Sequence, residues 1–447
     1  MRRSEPIVAV ATPAGTGGVA LVRLSGEGAL AIALECLTAK QLHPRRATLT
    51  RIIDGDRLLD EAVATLYPAP HSYTGEETVE LACHGSLYVQ EAVLQLLIGH
   101  GARLAEPGEF TRRAFMNGKL NLSQAEAVAD LIDAATPAQH RLAVSQLRGG
   151  YARQLADLRH RLVELTALFE LELDFSQEDV EFADRSELNA LVATLRQRVG
   201  ELTASFKTGL ALKRGIGVAI VGRPNAGKSS LLNALLADER AIVSPVAGTT
   251  RDTIEELLTI NGLTFRFIDT AGLRQSDDAV ESIGIERAYR AASQAEVVVY
   301  VHDCQQPASE MADDLRQLRE RVPLEDKQLI VVHNKCDLAQ PARPQGLLLS
   351  ASHNMGIEEL KQQLHATFAS RTAAGSDLLV SNARHYAALL RVDEALGHVA
   401  DGLAAAMPSD LVATDLRDAL YHLGTITGEV TGDEVLSTIF SRFCVGK

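Results

Sequence analysis

One short stretch constrains this chain more than any other. Ile216 to Val221 is an apolar, strand-like run, and it feeds directly into Gly222-Arg-Pro-Asn-Ala-Gly227-Lys228-Ser229 and then a segment of helical character. A strand, a glycine-bearing loop and a helix in that order make a cradle in which backbone N–H groups meet phosphates at a helix N-terminus. Lys228 would reach the β- and γ-phosphates and the Ser229 hydroxyl would ligate magnesium. The stretch therefore demands a parallel sheet with crossover helices around it. The following residues supply one: Phe265–Ile268, Val297–Val301, Leu329–Val332 and Leu347–Leu349 read as strands separated by helical segments.

Further motifs follow at compatible spacing. Gly248-Thr249-Thr250 would give a second magnesium ligand, Thr250, in a loop that senses the γ-phosphate. Asp269-Thr-Ala-Gly272 ends a strand, with Asp269 on the metal's water shell and the Gly272 amide on the γ-phosphate. Asn334-Lys335-Cys336-Asp337 ends another, and the Asp337 carboxylate can accept from both guanine N–H donors, an arrangement adenine does not offer. Ser350-Ala351-Ser352 completes the base pocket. The expected nucleotide contacts are thus Asn225, Ala226, Gly227, Lys228, Ser229, Ser230, the run Ser244, Pro245, Val246, Ala247, Gly248, Thr249, Thr250, the run Asp269, Thr270, Ala271, Gly272, and Asn334, Lys335, Asp337, Ser350, Ala351, Ser352. Leu273 stands where Ras-type GTPases carry the glutamine that orients the attacking water, so another group must do that work. Arg274 and Glu281 are the nearest candidates, and Asn225 is a candidate ligand for a monovalent cation beside the phosphates.

At 447 residues the chain has room for roughly three domains. Its 46% hydrophobic and 23% charged composition excludes a disordered or fibrous protein. The net charge of −14 repels nucleic acid at long range, so RNA contact would need a local basic patch. Arg141 to Arg161 is one candidate, with five arginines against Asp157; a solvated helix face is the competing reading. Five cysteines without a C-x-x-C pair point away from disulfides and zinc, toward a reducing compartment. Met1-Arg2-Arg3 before Ile7–Ala11 is broken by Glu5, Pro6 and Pro13, too short for a signal peptide, and no apolar run reaches the ~18 residues of a membrane span. A cytoplasmic protein is expected.

Residues 1–119 mix strand-like runs (Ile7–Ala11, Val19–Leu24, Ala62–Leu66, Val79–Ala82) with turns. From Leu122 the pattern turns helical, with capping-box spacing at Ser123–Glu126 and Thr136–Gln139, a long helical stretch to about Phe175 bent near Gly149-Gly150, and a helix over 186–205. Ala373-Ala-Gly-Ser reads as flexible, and helical periodicity returns after it. The expected organisation is multidomain: an α+β N-terminal domain (1–119), a discontinuous helical domain (120–212 and 374–447), and an inserted Ras-like P-loop GTPase domain (213–373).

Outside the nucleotide motifs, several segments are distinctive: Thr12-Pro-Ala-Gly-Thr-Gly-Gly-Val-Ala-Leu-Val-Arg-Leu-Ser25, Tyr73-Thr-Gly-Glu-Glu-Thr-Val-Glu-Leu81, Cys83-His-Gly85, Glu106-Pro-Gly-Glu-Phe-Thr-Arg-Arg-Ala-Phe-Met-Asn-Gly-Lys-Leu120 and the terminal Phe443-Cys444-Val-Gly-Lys447. With the inserted GTPase domain, these resemble the MnmE (TrmE) family of tRNA modification GTPases along essentially the whole chain. The resemblance implies a homodimer whose N-terminal domain binds a 5-formyl or 5,10-methylene tetrahydrofolate derivative, with a potassium-stimulated G domain. It also implies a heterotetramer with the flavoprotein MnmG, which carries FAD and NADH, and carboxymethylaminomethyl or aminomethyl groups placed on the tRNA wobble uridine. By the same resemblance the folate contacts fall on Arg23, Glu80, Lys119 and Lys447. The potassium ligands fall on Asn225, Ser244, Val246 and Thr249, the water-positioning acid on Glu281, and Arg274 has a supporting part. Cys444 would attack carbon 6 of uridine as a thiolate or else pack beside the folate. The alternatives are a ribosome-assembly GTPase without RNA-modifying chemistry, which needs neither the folate motifs nor Cys444, and a plain signalling switch.

Overall fold

A computed structural model describes residues 5–174, 185–237, 255–268, 281–339, 346–373, 379–441 and 443–446; at 173–174, 281–285 and 370–373 it describes the backbone alone. The chain divides into two compact units, residues 1–129 with 147–182 and 408–447, and residues 130–146 with 183–407.

The first unit is built on a six-stranded sheet. Its strands are β1 (Ile7–Val10), β2 (Gly17–Ser25), β3 (Thr48–Asp54), β4 (Arg57–Tyr67), β5 (Thr78–Gly85) and β6 (Arg103–Leu104), in the order β3-β4-β5-β2-β1-β6. All neighbours are antiparallel except β1 and β6. Strands of this kind alternate inward and outward residues. Val22, Leu24, Ala62, Ala64, Val79 and Leu81 turn to a core shared with Val93 and Leu97 of helix Leu87–Gly99 and Ala29 and Ala33 of helix Ala29–Glu35. The intervening residues Leu21, Arg23, Glu80, Ala82, Val63 and Leu49 lie on the opposite face. Sequence reading located four of these strands and missed β3 and the two-residue β6. β3 carries Thr50 and Arg51 among its apolar residues, which blurs its alternation.

Two expectations about the helices are corrected. The cap of helix Leu122–Asp133 lies at Asn121, whose carboxamide oxygen accepts from Gln124 N (2.9 Å) while the Gln124 side chain accepts from Asn121 N (3.1 Å). Ser123 is already inside the helix, so the reciprocal pair is Asn121–Gln124, two residues before the expected one. The long stretch is three helices, Leu122–Asp133, Pro137–Leu147 and Gly150–Asp174. The capping box at Thr136 forms as read: Gln139 N donates to Thr136 Oγ1 (3.3 Å) and Thr136 N to Gln139 Oε1 (3.1 Å). Helix Gly150–Asp174 packs on Ser409–Thr427 in the first unit, and Arg185–Ala204 packs on Ala383–Ala404 in the second.

The second unit carries the other six-stranded sheet: β7 (Ile216–Val221), β8 (Glu256–Ile260), β9 (Leu263–Phe267), β10 (Val297–Asp303), β11 (Gln328–Asn334) and β12 (Leu347–Leu348), in the order β12-β11-β10-β7-β9-β8. Five strands are parallel, and β8 joins antiparallel to β9 at the edge through a turn at Asn261-Gly262. Every residue of β7 and β10 is buried, as a sheet covered by helices on both faces requires. The fold is that of a P-loop GTPase domain. Sequence reading missed β8, whose buried Leu258 and Ile260 alternate with solvent-facing residues. Residues 374–376 of the flexible-looking segment lie outside the described residues.

Candidate functional site

Strands β7, β10 and β11 end side by side, and each hands a loop to one site. From β7 comes the phosphate loop. Gly227 stands at φ +90°, where a side chain is strained, and a Cβ there would come within 2.1 Å of the Asn334 side-chain nitrogen, so any other residue would have to displace that amide. Asn225 is also left-handed, at φ 60°. Helix Lys228–Ala237 opens immediately after, with Ser229 and Ser230 exposed on its first turn.

The Lys228 ammonium donates to the carbonyls of Gly222 (2.9 Å) and Arg223 (2.7 Å). Burial pushes its pKa down, which a polyanion beside it would reverse. Arg223 itself is clamped bidentately to Asp314 on helix Ala308–Arg321 (2.7 and 2.9 Å), and also meets Glu310; Tyr300 donates to the same Asp314 at 2.7 Å. Sequence reading gave Arg223 no role, because the acids that hold it come from a helix about 90 residues later.

Asn334 ties three loops together. Its side-chain nitrogen donates to Ala226 O (2.9 Å) and its oxygen accepts from Ala351 N (3.1 Å), joining the phosphate loop to the Ser350-Ala351-Ser352 loop. Lys335, at φ 63°, pairs with Asp303 at the end of β10 (2.7 Å). The Asp337 carboxylate is held below its usual range by the Ser350 hydroxyl, which outweighs burial, with help from its own backbone amide and from His353, 3.5 Å away. Ser350 Oγ also lies 3.2 Å from Ser352 Oγ. A carboxylate kept ionised beside an ordered hydroxyl suits paired N–H donors of a planar base.

Asn225, Ala226, Gly227, Lys228, Ser229, Ser230, Asn334, Lys335, Asp337, Ser350, Ala351 and Ser352 thus gather at one end of the sheet. Ser244, Pro245, Val246, Ala247, Gly248, Thr249, Thr250, Asp269, Thr270, Ala271, Gly272 and Arg274 lie outside the described residues, as does Lys447. Glu281 is the first residue of helix Glu281–Gln294, described in its backbone alone. The cradle at Gly227 and the oxygen donor of Ser229 fit a phosphate chain with magnesium. Of the expected potassium ligands, Asn225 alone is described. Among the described residues there is no cluster of three or more His, Cys, Asp or Glu placed to hold a metal.

A second constellation lies on the N-terminal sheet, on the face opposite the main core of that unit. Arg23 on β2 and Glu80 on β5 are direct cross-strand partners, and Arg23 Nε donates to Glu80 Oε1 at 2.8 Å with both side chains mostly covered. The guanidinium sits between two rings, 5.4 Å from the centre of Tyr73 and 5.6 Å from that of Phe110. Tyr73 Oη and Thr111 Oγ1 lie 2.9 Å apart, and Lys119 donates to Pro70 O at 3.1 Å. The chain terminus reaches the same sheet: Gly446, at φ +98°, approaches β1 so closely that a Cβ would meet Val10 O at 2.2 Å. Cys444 is exposed, and its carbonyl accepts from Gly108 N at 3.3 Å. Phe110 is fully buried and backs the guanidinium, while Tyr73 is 37% exposed; a carboxylate, a cation and that one accessible ring fit a flat heterocycle with a paired N–H edge. Tyr73 and Phe110 were within motifs singled out in the sequence, but nothing there signalled that their rings meet Arg23.

Behind this site Glu109, 2% exposed, accepts from Arg103 (2.7 and 3.1 Å), Arg113 (2.9 Å) and Glu106 N (2.8 Å). Burial alone would raise its pKa, but these donors outweigh it and hold it at about 2. In the basic stretch, Arg159 pairs with Glu429 and Arg161 with Asp157.

Comparison with known proteins covers both constellations. Residues 122–444 match the family model described as MnmE helical domain, and residues 6–119 match the one described as GTP-binding protein TrmE N-terminus. Three relatives are each named tRNA modification GTPase MnmE. The protein of Christiangramia forsetii is 47% identical over 476 aligned residues covering all of both chains. That of Flavobacterium johnsoniae is 44% identical over 470, again covering all of both chains. That of Parabacteroides distasonis is 46% identical over 460, or 99% of each chain. With its P-loop domain and its N-terminal and helical segments all accounted for, the chain belongs to the MnmE family of tRNA modification GTPases.

Proposed function

We propose that this chain is a potassium-stimulated GTP hydrolase that works in tRNA modification, and that its N-terminal sheet supplies a one-carbon unit from a bound tetrahydrofolate derivative. The observation that carries the second half is the Arg23–Glu80 pair flanked by Tyr73 and Phe110. A ribosome-assembly GTPase has no use for such a site, nor for a terminal Cys444 brought to the same sheet.

In the G domain, Lys228 leaves its carbonyl partners for the β- and γ-phosphates, and Asp337 selects guanine. Asn334 keeps the phosphate and base loops in register. Glu281 orients the attacking water in place of the glutamine absent at position 273. Magnesium on Ser229 and Thr250, and potassium on Asn225, Ser244, Val246 and Thr249, would neutralise charge as the phosphate bond breaks, with Arg274 assisting.

On the N-terminal sheet, Glu80 accepts from the pterin's N–H edge and Arg23 holds the Glu80 carboxylate in place, while Lys119 and Lys447 would take the folate's glutamate tail. Cys444 either attacks carbon 6 of uridine or packs beside the folate. The partner in this reading is MnmG with its FAD and NADH, in a heterotetramer built on a homodimer. A homodimer is supported by an apolar row across this face of the sheet: Leu21, Ala82, Val63 and Leu49 are successive cross-strand partners, half-buried at Leu21 and Ala82 and exposed at Val63 and Leu49, the latter 77%. Among the described residues no helix is long and apolar enough to cross a membrane; a cytoplasmic setting fits tRNA as substrate.

The test is calorimetric titration of the full chain with 5-formyl-tetrahydrofolate. Saturable binding that Glu80→Gln weakens supports the reading, and no binding by the wild-type chain ends it.

A further inference from the structure

Helix Glu281–Gln294 starts at the proposed water-positioning acid and is fastened at its other end. There the Lys327 ammonium donates to the carbonyls of Ser293 and Ala295, at 2.6 Å each. A cation on the last carbonyls satisfies orphan acceptors and opposes the helix dipole. Glu296 adds a reciprocal pair of bonds to β7: its amide donates to Gly217 O (3.0 Å) and its carboxylate accepts from Gly217 N (2.6 Å). Arg321 lies over the Tyr289 ring of the same helix, 5.0 Å from its centre.

The residue beside the cap faces elsewhere. Asp326 accepts from Lys207 at 2.8 Å, and Lys207 belongs to helix Phe206–Arg214, which leads into β7. A cavity of about 350 Å³ beside this pair is lined by Lys207, Glu296, Asp326, Lys327, Thr367 and Phe368. Lys207 and Asp326 are 79% and 78% exposed, so their bond is easily broken and remade.

We propose that Lys327 is a positioning residue for GTP hydrolysis, fixing the far end of the helix that begins at Glu281, and that the Asp326–Lys207 bond relays displacements of helix Phe206–Arg214 to that cap. The proposal rests on the reading of Glu281 given above. Lys327 suits the task because one ammonium has three donors and can hold two carbonyls at once. Burial pushes its pKa down, an effect the nearby Glu296 and Asp326 oppose.

The experiment measures steady-state GTP turnover of the full chain in potassium and magnesium. Lys327→Met keeps the apolar stem and removes the donors. It lowers kcat about tenfold with KM changed less than about twofold, and Lys327→Arg recovers most of the loss. A merely structural role would lower the unfolding temperature and leave the kcat of the folded fraction untouched. A folded Lys327→Met chain with wild-type kcat overturns the proposal. If Lys327→Met does not fold, the exposed pair decides. Lys207→Glu shifts kcat by about two- to fivefold and Lys207→Glu with Asp326→Lys restores it; an inert single variant, or a double variant that fails to restore, overturns the relay. Glu281→Ala is run in parallel. If it leaves turnover unchanged, the reading of the helix start has failed, whereas a turnover loss there beside an inert Lys327→Met sinks the positioning role alone.

Discussion

The two six-stranded sheets place chemistry in opposite ways. In the parallel sheet both faces are covered by helices, so reactive groups stand only where strands end. Its site is a set of loops after β7, β10 and β11, each a short contiguous motif. In the N-terminal sheet one face carries the core under helices Ala29–Glu35 and Leu87–Gly99 while the other is only partly covered, and the constellation lies on that second face, made of residues distant in sequence that the strand register brings together. Arg23 and Glu80 are 57 residues apart and directly opposed. A sheet covered on both faces writes its site in words that can be read along the chain, whereas a sheet face that carries the site itself writes it across the strands.

If that contrast is right, each site can be removed without the other. The largest effect falls on the base pocket: Asp337→Asn lowers GTP affinity on the order of 10³- to 10⁴-fold, because a buried N–H pair loses its acceptor, and leaves folate titration unchanged. Next, Glu281→Ala leaves GTP affinity intact and cuts turnover roughly 10²-fold in potassium. Then Glu80→Gln weakens tetrahydrofolate binding by about 10- to 100-fold, the worth of a charge-assisted bond, with GTP turnover unmoved. A joint loss in any of these would show that the sites are not independent.

Acid separates the sheets more gently. On β10, burial, and then the neighbouring His333, depress the His302 pKa below its ordinary 6.5. The unfolded chain then binds a proton that the folded one refuses, so stability of the parallel sheet declines as pH falls below about 6.5. Glu109 has the opposite sense of partner: its folded pKa is about 2 against an ordinary 4.5. The stability it contributes is present above about pH 4.5 and is lost as pH falls toward 2. Thermal unfolding against pH with probes in each unit therefore shows the parallel sheet weakening first, and Glu109→Gln removes the lower-pH transition at a cost of about 3 kcal/mol near neutrality.

Legibility followed the same division. The phosphate loop, Asn334 and Asp337 were readable because each motif needs its residues adjacent, and strands β7, β10 and β11 are continuous apolar runs. The cap at Asn121 was misread because Ser123–Glu126 has the same spacing as Asn121–Gln124, and only geometry shows which side chain faces the free amides. Arg223, Tyr73, Phe110 and Lys327 were invisible as functional residues because their partners come from other elements. Lys327 in particular reads as one more charge in a polar loop. The folate contacts were reached through family resemblance, since neither Arg23 nor Glu80 differs in the sequence from any other strand residue.

The most direct test of the account is nucleoside mass spectrometry of total tRNA from cells lacking this gene, complemented with the wild-type chain, with Glu281→Ala or with Glu80→Gln. The account predicts that carboxymethylaminomethyl and aminomethyl uridines vanish in the deletion, return with the wild-type chain and stay absent with either variant. Unchanged nucleosides in the deletion strain would contradict it and bring the ribosome-assembly reading forward.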